Sequence, residues 1–515
     1  IKTPIMTDTS ANNKRIAKNT LLLYIRMFLM MGITLYTSRV VLQMLGVDDF
    51  GIYNVVGGII VLFSFINNAM VASTQRFLNF ELGRDNVEEA QKVFAASLNI
   101  YLVIVVIFML LAETVGLWFL NRYINIPSER TVAANWVYQA SLVATALNFV
   151  RMPYNAAIIA YERMSFYAYT SIIEAALKLG IVFLLYSFAD KLIAYAWLVS
   201  VVALLILLMY VFFCRRVFVI CRHHTFAYDK RRYTALVSFS GWSLFGSVAN
   251  MGASQGVNIL LNIFFGVFVN AAMGIANQVS GAISLFVGNF QTAFNPQIIK
   301  SYASGEKERF INLILNTSKY SYYLLFLIAL PCFICCNEML QLWLGEVPPH
   351  SVSFCRLLII FSLIDAVQGP LWVSAQATGE IRNYQLLMSF LILLNLPVSY
   401  VILKIIPIAE LALVVRVLIN LVTAVARVVY LKRLYSFPVA RYLKEVVLLG
   451  MIVTIVSSMI PSFVYLCSTG WLMATVTAFL CIACTIMAIY TIGLKEFERN
   501  LVKSYMNKII HKLKR

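Results

Sequence analysis

The sequence predicts an all-α polytopic membrane protein with about 14 transmembrane helices, arranged as two homologous six-helix bundles plus two C-terminal helices. Composition is the first reason. Of the 515 residues, 61% are hydrophobic and 12% are charged, whereas soluble domains carry about 25% charged residues. The mean hydropathy is +0.82. Long apolar runs and an internal repeat, described below, are the second and third reasons.

Fourteen runs are long and apolar enough to cross a bilayer, which takes about 20 residues each. The first is preceded by Lys14, Arg15 and Lys18 and contains Arg26. Because it outlasts the core of a signal peptide, we expect it to be a retained span. The connections are short, so sequential helices should pack antiparallel. The predicted spans are 21–43, 50–72, 93–119, 132–158, 165–188, 192–213, 235–261, 268–292, 311–336, 352–376, 384–406, 410–430, 446–466 and 471–493.

The basic residues predict the orientation in the membrane. Of the 41 Lys and Arg residues, 29 lie in segments on the same side of the membrane as the N-terminus, and four lie in loops on the opposite side. This bias follows the positive-inside rule and predicts a multi-pass protein with both termini cytoplasmic. It also accounts for the net charge of +18. No basic face interleaved with aromatic residues occurs, so we expect no nucleic-acid partner.

Similar segments recur about 220 residues apart, which indicates a six-plus-six duplication. The matched positions are Gly46 with Gly266, Gly51 with Gly274, Pro153 with Pro370, Glu162 with Glu380, and Phe166 with Tyr384. Six spans per half give both halves the same topology, as in transporters with parallel repeats around a central cleft. The predicted division is a first bundle (1–214), a basic cytoplasmic linker (215–232), a second bundle (233–431) and two further helices with a basic tail (432–515).

Ionisable residues inside spans are costly in lipid and point to a cavity or a partner. Arg26 and Arg39 lie on the first span, about 140° apart around the helix. Each either snorkels to the headgroups or faces the cleft as an anion ligand, and Arg416 has the same two interpretations. Eight in-span Lys and Arg residues, Lys178 and Arg356 among them, outnumber the four acidic ones. Because arginine suits phosphate geometry, an anionic substrate is favoured.

Two in-span carboxylates are candidates for coupling transport to protons or sodium ions. Glu174 and Lys178 are spaced i, i+4 and can neutralise each other, so the pair is either self-satisfied or functional. Asp365 has no partner on its own helix, because Arg356 lies on the opposite face.

Amide side chains concentrate on the predicted seventh and eighth spans, including Asn258, Asn277 and Gln278. They either bond neighbouring helices or contact sugar hydroxyls in a wet cleft. The nine cysteines lie mostly in apolar runs without accompanying histidines, so we expect no metal site and no cofactor. No phosphate-binding loop motif occurs, and no catalytic residues are assigned.

Four segments resemble bacterial polysaccharide and O-antigen repeat-unit flippases of the multidrug/oligosaccharidyl-lipid/polysaccharide (MOP) exporter superfamily. They are LYTSRVVLQMLGVDDFGIYNVVGGII (35–60), STQRFLNFELG (73–83), RMPYNAAIIAYERMSFYAY (151–169) and QATGEIRNYQ (376–385). The resemblance implies a protein of the bacterial inner (cytoplasmic) membrane. It implies transport, without ATP hydrolysis, of undecaprenyl-pyrophosphate-linked oligosaccharide from the cytoplasmic to the periplasmic leaflet for O-antigen, lipopolysaccharide or other surface polysaccharide biosynthesis. It also implies a cleft lined by spans one, two, seven and eight, with Arg26 and Arg39 on a span that often carries cationic cleft residues.

Partners implied by the resemblance are the lipid-linked oligosaccharide, membrane lipids and other polysaccharide-assembly membrane proteins. The thirteenth and fourteenth spans match members in which the extra pair forms a groove for the lipid tail. A cation-coupled multidrug exporter of the same superfamily is the alternative. A membrane polysaccharide polymerase or ligase is more remote, because the longest predicted outer loop, 337–351, is short.

Overall fold

The computed structural model describes residues 9–61, 64–123, 128–222, 229–467, 470–500 and 503. Within these ranges the protein is helical and contains no strand, which confirms the predicted all-α class. The helices are α1 (Thr9–Val61), α2 (Ser64–Gly83), α3 (Val87–Leu111), α4 (Leu117–Tyr123), α5 (Thr131–Ala160), α6 (Met164–Leu184), α7 (Lys191–Val217), α8 (Lys230–Phe265), α9 (Val267–Ala303), α10 (Lys307–Ile334), α11 (Cys336–Leu344), α12 (Ser351–Thr378), α13 (Arg382–Leu393), α14 (Asn395–Ile405), α15 (Ala409–Tyr435), α16 (Val439–Tyr442), α17 (Leu449–Cys467) and α18 (Trp471–Ala488).

Ten helical segments in the described part are long and apolar enough to cross a membrane. They coincide with predicted spans three to six and nine to fourteen, which confirms a multi-pass membrane protein. The other four predicted spans fall on α1, α2, α8 and α9. Amides and glycines make α8 and α9 more polar than their neighbours, and the flippase resemblance implies that these same four spans line the cleft.

The duplication is visible in the backbone at two turns of each half. A positive φ occurs at Gly46 (80°) and Gly266 (79°), and again at Asp85 (57°) and Gly305 (77°). Both pairs are 220 residues apart. The amide of Asn86 donates to the carbonyl of Glu81, and the amide of Glu306 donates to that of Ser301, again at the same offset. These bonds close equivalent helix ends, so the two halves share their turn chemistry as well as their topology.

The chain divides into two compact units. The first contains residues 1–248, 293–306 and 376–382, and the second contains 249–292, 307–375 and 383–515. Three helices, α8, α9 and α12, therefore have one end in the first unit and the remainder in the second. Within the second unit, α18 packs on α10 through Ala474 and Cys481 against Phe326 and Leu330.

Candidate functional site

A charged cluster lies within the membrane-spanning part of the first unit. Arg151 of α5 and Lys178 of α6 both bond the carboxylate of Glu174, each at 2.8 Å. The side chains of Arg151 and Glu174 are only 16% and 21% exposed. The predicted pair of Glu174 with Lys178 is therefore present, but it is not self-contained. Because Arg151 is a second cation on one carboxylate, the cluster keeps a positive excess.

Arg26 joins this cluster through tyrosine rings. Its guanidinium lies 4.3 Å from the ring centre of Tyr167, and Tyr210 lies within electrostatic range of Tyr167, Arg151 and Glu174. The Nε atom of Arg26 is buried and has no hydrogen-bond partner among the described residues. A guanidinium that lies over an aromatic face and still has an unused N–H donor can bind an anionic ligand.

One stripe of α6 supplies much of the first cluster. Tyr167, Ser171, Glu174 and Lys178 follow one another at i, i+4, i+7 and i+11, the spacing of a single helix face. The preceding helix, α5, presents Arg151 to that face. Three cations (Arg26, Arg151 and Lys178) thus accompany one carboxylate.

A polar cavity lies inside the second unit, and its polar lining comes from α8, α12, α14 and α15. Its polar lining is Asn250, Ser254, Asp365, Asn395, Arg416, Asn420, Thr423 and Arg427. The last four form a second stripe at i, i+4, i+7 and i+11, on one face of α15. The cavity has a volume of about 60 Å³, which is enough for a few water molecules or one small ion.

Asp365 opens into this cavity from the middle of α12. The side chain is accessible, and Arg427 and Arg416 both act on it electrostatically. The cations that act on Asp365 are therefore on another helix, α15. Residue spacing along α12 alone could not predict them. Two arginines beside one carboxylate repeat the positive excess of the first unit and oppose the binding of a further cation at Asp365.

The two arginines are held in place by neutral groups. Arg416 contacts the ring of Phe361 at 4.6 Å and the hydroxyl of Ser254 at 3.5 Å, and Arg427 donates to the carbonyl of Gln368 at 3.1 Å. The Nη1 atom of Arg416 and the Nε atom of Arg427 are buried without a hydrogen-bond partner among the described residues. Both arginines retain donor capacity.

The remaining predicted site residues lie elsewhere or have local partners. Arg356 donates to the carbonyls of Phe333 and Ile334, so it caps the end of α10. The amide of Asn258 donates to Gln255 at 2.9 Å. Asn277 is half-buried and Gln278 is exposed. The side chain of Arg39 lies outside the described residues. Among those described, no group of three or more His, Cys, Asp and Glu side chains could hold a metal ion.

Sequence reasoning alone does not single out two functional candidates, Arg151 and Arg427. Both belong to the eight cations within the predicted spans, but neither has an acidic neighbour close to it on its own helix. For Arg427 a signal was present, because Arg416 is 11 residues away on the same face of α15. For Arg151 no comparable pattern exists, since its partner is on the next helix.

Solved structures with a similar fold include MATE family transporters of the MOP superfamily. A multidrug resistance MATE family transporter in an outward-facing conformation superposes with a TM-score of 0.69 at 13% identity, covering 81% of this chain and 95% of that one. A MATE in complex with MaD3S gives 0.68 at 14% identity with the same coverage. At these identities the similarity establishes the fold. No protein-family model and no curated protein matches the sequence.

One neighbour bears on pocket charge. It is a MOP superfamily transporter from Pyrococcus furiosus, with a TM-score of 0.67 at 14% identity, covering 81% of this chain and 95% of that one. For that protein, a reversed polarity of the binding pocket is taken to suggest a different function. The particular polysaccharide flippase family suggested by the sequence segments stays a prediction.

Proposed function

We propose that this protein translocates an anionic amphiphile, undecaprenyl-pyrophosphate-linked oligosaccharide, from the cytoplasmic to the periplasmic leaflet of the bacterial inner membrane by alternating access. The fold supports transport rather than an enzymatic reaction, because the neighbours are transporters. The substrate class rests on charge.

The observation that carries the proposal is the cation excess in both units. Three cations accompany Glu174 in the first cluster, and two arginines accompany Asp365 in the second. An uncompensated cation in the middle of a bilayer costs about 3 kcal/mol on insertion. An excess of such cations therefore indicates a functional site. Because a pyrophosphate brings negative charge that these guanidinium groups can bind, an anionic lipid-linked substrate explains the excess.

The second cavity does not hold the sugar. At about 60 Å³ it is too small for one saccharide ring, so Arg416 and Arg427 are proposed to act on the substrate's charge from the cavity wall. Asp365 and Glu174 keep the positive potential from rising further, and a bound anion beside either carboxylate would favour its uptake of a proton. A proton or sodium ion remains the proposed coupling ion.

A cation-coupled multidrug exporter is the second candidate, favoured by the fold shared with a multidrug resistance transporter. Such a substrate is usually cationic and would be repelled by both clusters. The two candidates therefore predict opposite effects of removing an arginine. Under the flippase proposal transport of the lipid-linked sugar falls, whereas under drug export uptake of a cationic dye rises.

The test is reconstitution in liposomes with a fluorescent polyprenyl-pyrophosphate oligosaccharide, alongside a cationic dye. We expect Arg26→Gln and Arg416→Gln each to lower transport of the lipid-linked sugar about tenfold, the effect of about 1.4 kcal/mol. Lys404→Gln removes one exposed cation outside both clusters and should leave transport unchanged.

The proposal is wrong if the unmodified protein moves the dye but never the lipid-linked sugar. In cells, depletion of the protein should cause lipid-linked repeat units to accumulate on the cytoplasmic face.

A further inference from the structure

Three of the four segments that carry the flippase resemblance meet at one place in the first unit. They are the end of α2, the turn between α5 and α6, and residues 376–382. The end of α9, residues 293–303, packs there as well. The amide of Asn19, near the start of α1, donates to the carbonyl of Glu162 at 3.4 Å. These segments therefore lie near the N-terminal end of α1, on the side of the membrane that the distribution of basic residues predicts to be cytoplasmic.

Glu162 holds the end of α9. Its carboxylate is fully buried and accepts bonds from Gln297 at 2.7 Å and from the ammonium of Lys300 at 2.9 Å. Its backbone has a φ of 57°, a conformation that costs a non-glycine residue about 1 kcal/mol or more. A buried acid in a strained turn, paired with a helix of the other sequence half, is poorly explained as a simple turn residue.

Arg76 holds the end of α12. Its side chain is buried among the rings of Phe77, Phe80 and Phe239. The guanidinium donates to the carbonyls of Gln376 at 3.1 Å and Ala377 at 3.0 Å. These are among the last carbonyls of α12, which have no partner within the helix.

Two glycines make these approaches fit. A Cβ added at Gly379 would lie 2.6 Å from the guanidinium of Arg76, and one at Gly83 would lie 2.8 Å from the backbone of Lys300. The end of α2 therefore sits against the backbone of α9 with no room for a side chain. Glycine at position 83 thus lets the backbones of α2 and α9 come into direct contact.

Both helices whose ends are held here, α9 and α12, pass from one compact unit to the other within a few residues of a proline. α9 changes unit at 292/293 beside Pro296, and α12 at 375/376, five residues beyond Pro370. Proline removes a backbone hydrogen bond and permits bending. The clasped ends can therefore move with respect to the rest of their own helices.

We infer that Glu162 and Arg76 form a latch, which holds the ends of α9 and α12 against the helices of the first half in one state of the transport cycle and releases them in the other. The inference rests on the proposed function, because it assigns these contacts to a step of alternating access. The latch closes with a few polar bonds around a glycine contact, and opening it also exposes the buried apolar side chains of Ile298 and Ile299.

Cross-linking tests the latch directly. Glu162→Cys with Gln297→Cys, in a protein whose exposed Cys467 is replaced by serine, places two thiols across it. A short, reducible bifunctional thiol reagent should then lower transport of the lipid-linked sugar at least tenfold, and a reductant should restore it. The matched control is Asn121→Cys with Asn135→Cys, since those side chains bond each other at 3.1 to 3.2 Å within the first half. Cross-linking the control should not slow transport.

A second arm needs no substrate. Gly83→Ala puts a methyl group into the latch, so Gln297→Cys in that background should react at least several-fold faster with a membrane-impermeant maleimide. Gly180→Ala, at a helical position with open space around it, should change nothing.

Transport at full rate by the cross-linked latch pair, or no change in labelling on Gly83→Ala, overturns the latch. Failure of the proposed function looks different. Neither the unmodified protein nor the uncross-linked pair then moves the lipid-linked sugar, while Gly83→Ala still accelerates labelling and the latch stands as a moving part of a different transporter.

Discussion

The first-unit cluster makes a prediction in which a second mutation repairs a first. Glu174→Gln leaves the guanidinium of Arg151, only 16% exposed, without its carboxylate. Removing one partner of a buried ion pair costs about 3 to 5 kcal/mol, and we take the lower end because Lys178 is 40% exposed and can hydrate. We therefore expect a loss of about 3 kcal/mol, or a fall in Tm of about 3 °C for a chain of 515 residues.

Adding Arg151→Met to Glu174→Gln removes the stranded cation and should restore about 1.5 kcal/mol, or about 1.5 °C. Arg151→Met alone should cost less than Glu174→Gln, because Lys178 still partners the carboxylate. The assay is thermal unfolding of the four purified proteins in one detergent, followed by size-exclusion fluorescence. If the double variant is less stable than Glu174→Gln by the full cost of Arg151→Met, the two residues are independent and the cluster is not an interacting unit.

Three further predictions concern positions outside the clusters. Gly116→Ala would place its Cβ 2.1 Å from the hydroxyl of Tyr138, which bonds the carbonyl of Ala112 at 2.8 Å; unfolding measurements should show a loss of about 1 to 3 kcal/mol, whereas Gly180→Ala should not destabilise. Gly46 has φ 80° and ψ 170°, a region nearly restricted to glycine, so Gly46→Ala should cost about 1 to 3 kcal/mol in the same measurement, with a comparable cost for Gly266→Ala. Burial raises the pKa of the Glu498 carboxyl, but bonds from Tyr320, the Lys495 amide and Lys319 outweigh that effect and hold the pKa below its ordinary value. Anchoring of the segment around Glu498 should thus be complete above about pH 4.3 and lost as the pH falls through the lowered value; limited proteolysis should show this change, and Glu498→Gln should release the segment at neutral pH.

The fold class, the spans and the repeat follow from the sequence by itself. Apolar runs such as 192–213 and 410–430 must be helices in lipid, because a bilayer leaves no other way to satisfy their backbone groups. The same runs reappear as α7 and α15. The matched glycines at 46 and 266 predicted the duplication, since a backbone with positive φ selects glycine wherever the turn recurs. The bond between Glu174 and Lys178 was also predictable, because both residues lie on one helix face.

Contacts between helices were decided only by the tertiary structure. The cations that act electrostatically on Asp365, Arg416 and Arg427, lie on α15 and could not be predicted from its own span. Arg151 likewise bonds Glu174 across α5 and α6. Helical periodicity states which way a side chain points, not which helix stands opposite. The same holds for the latch, where segments 73–83, 151–169 and 376–385 are far apart in the chain and meet only when the helices pack.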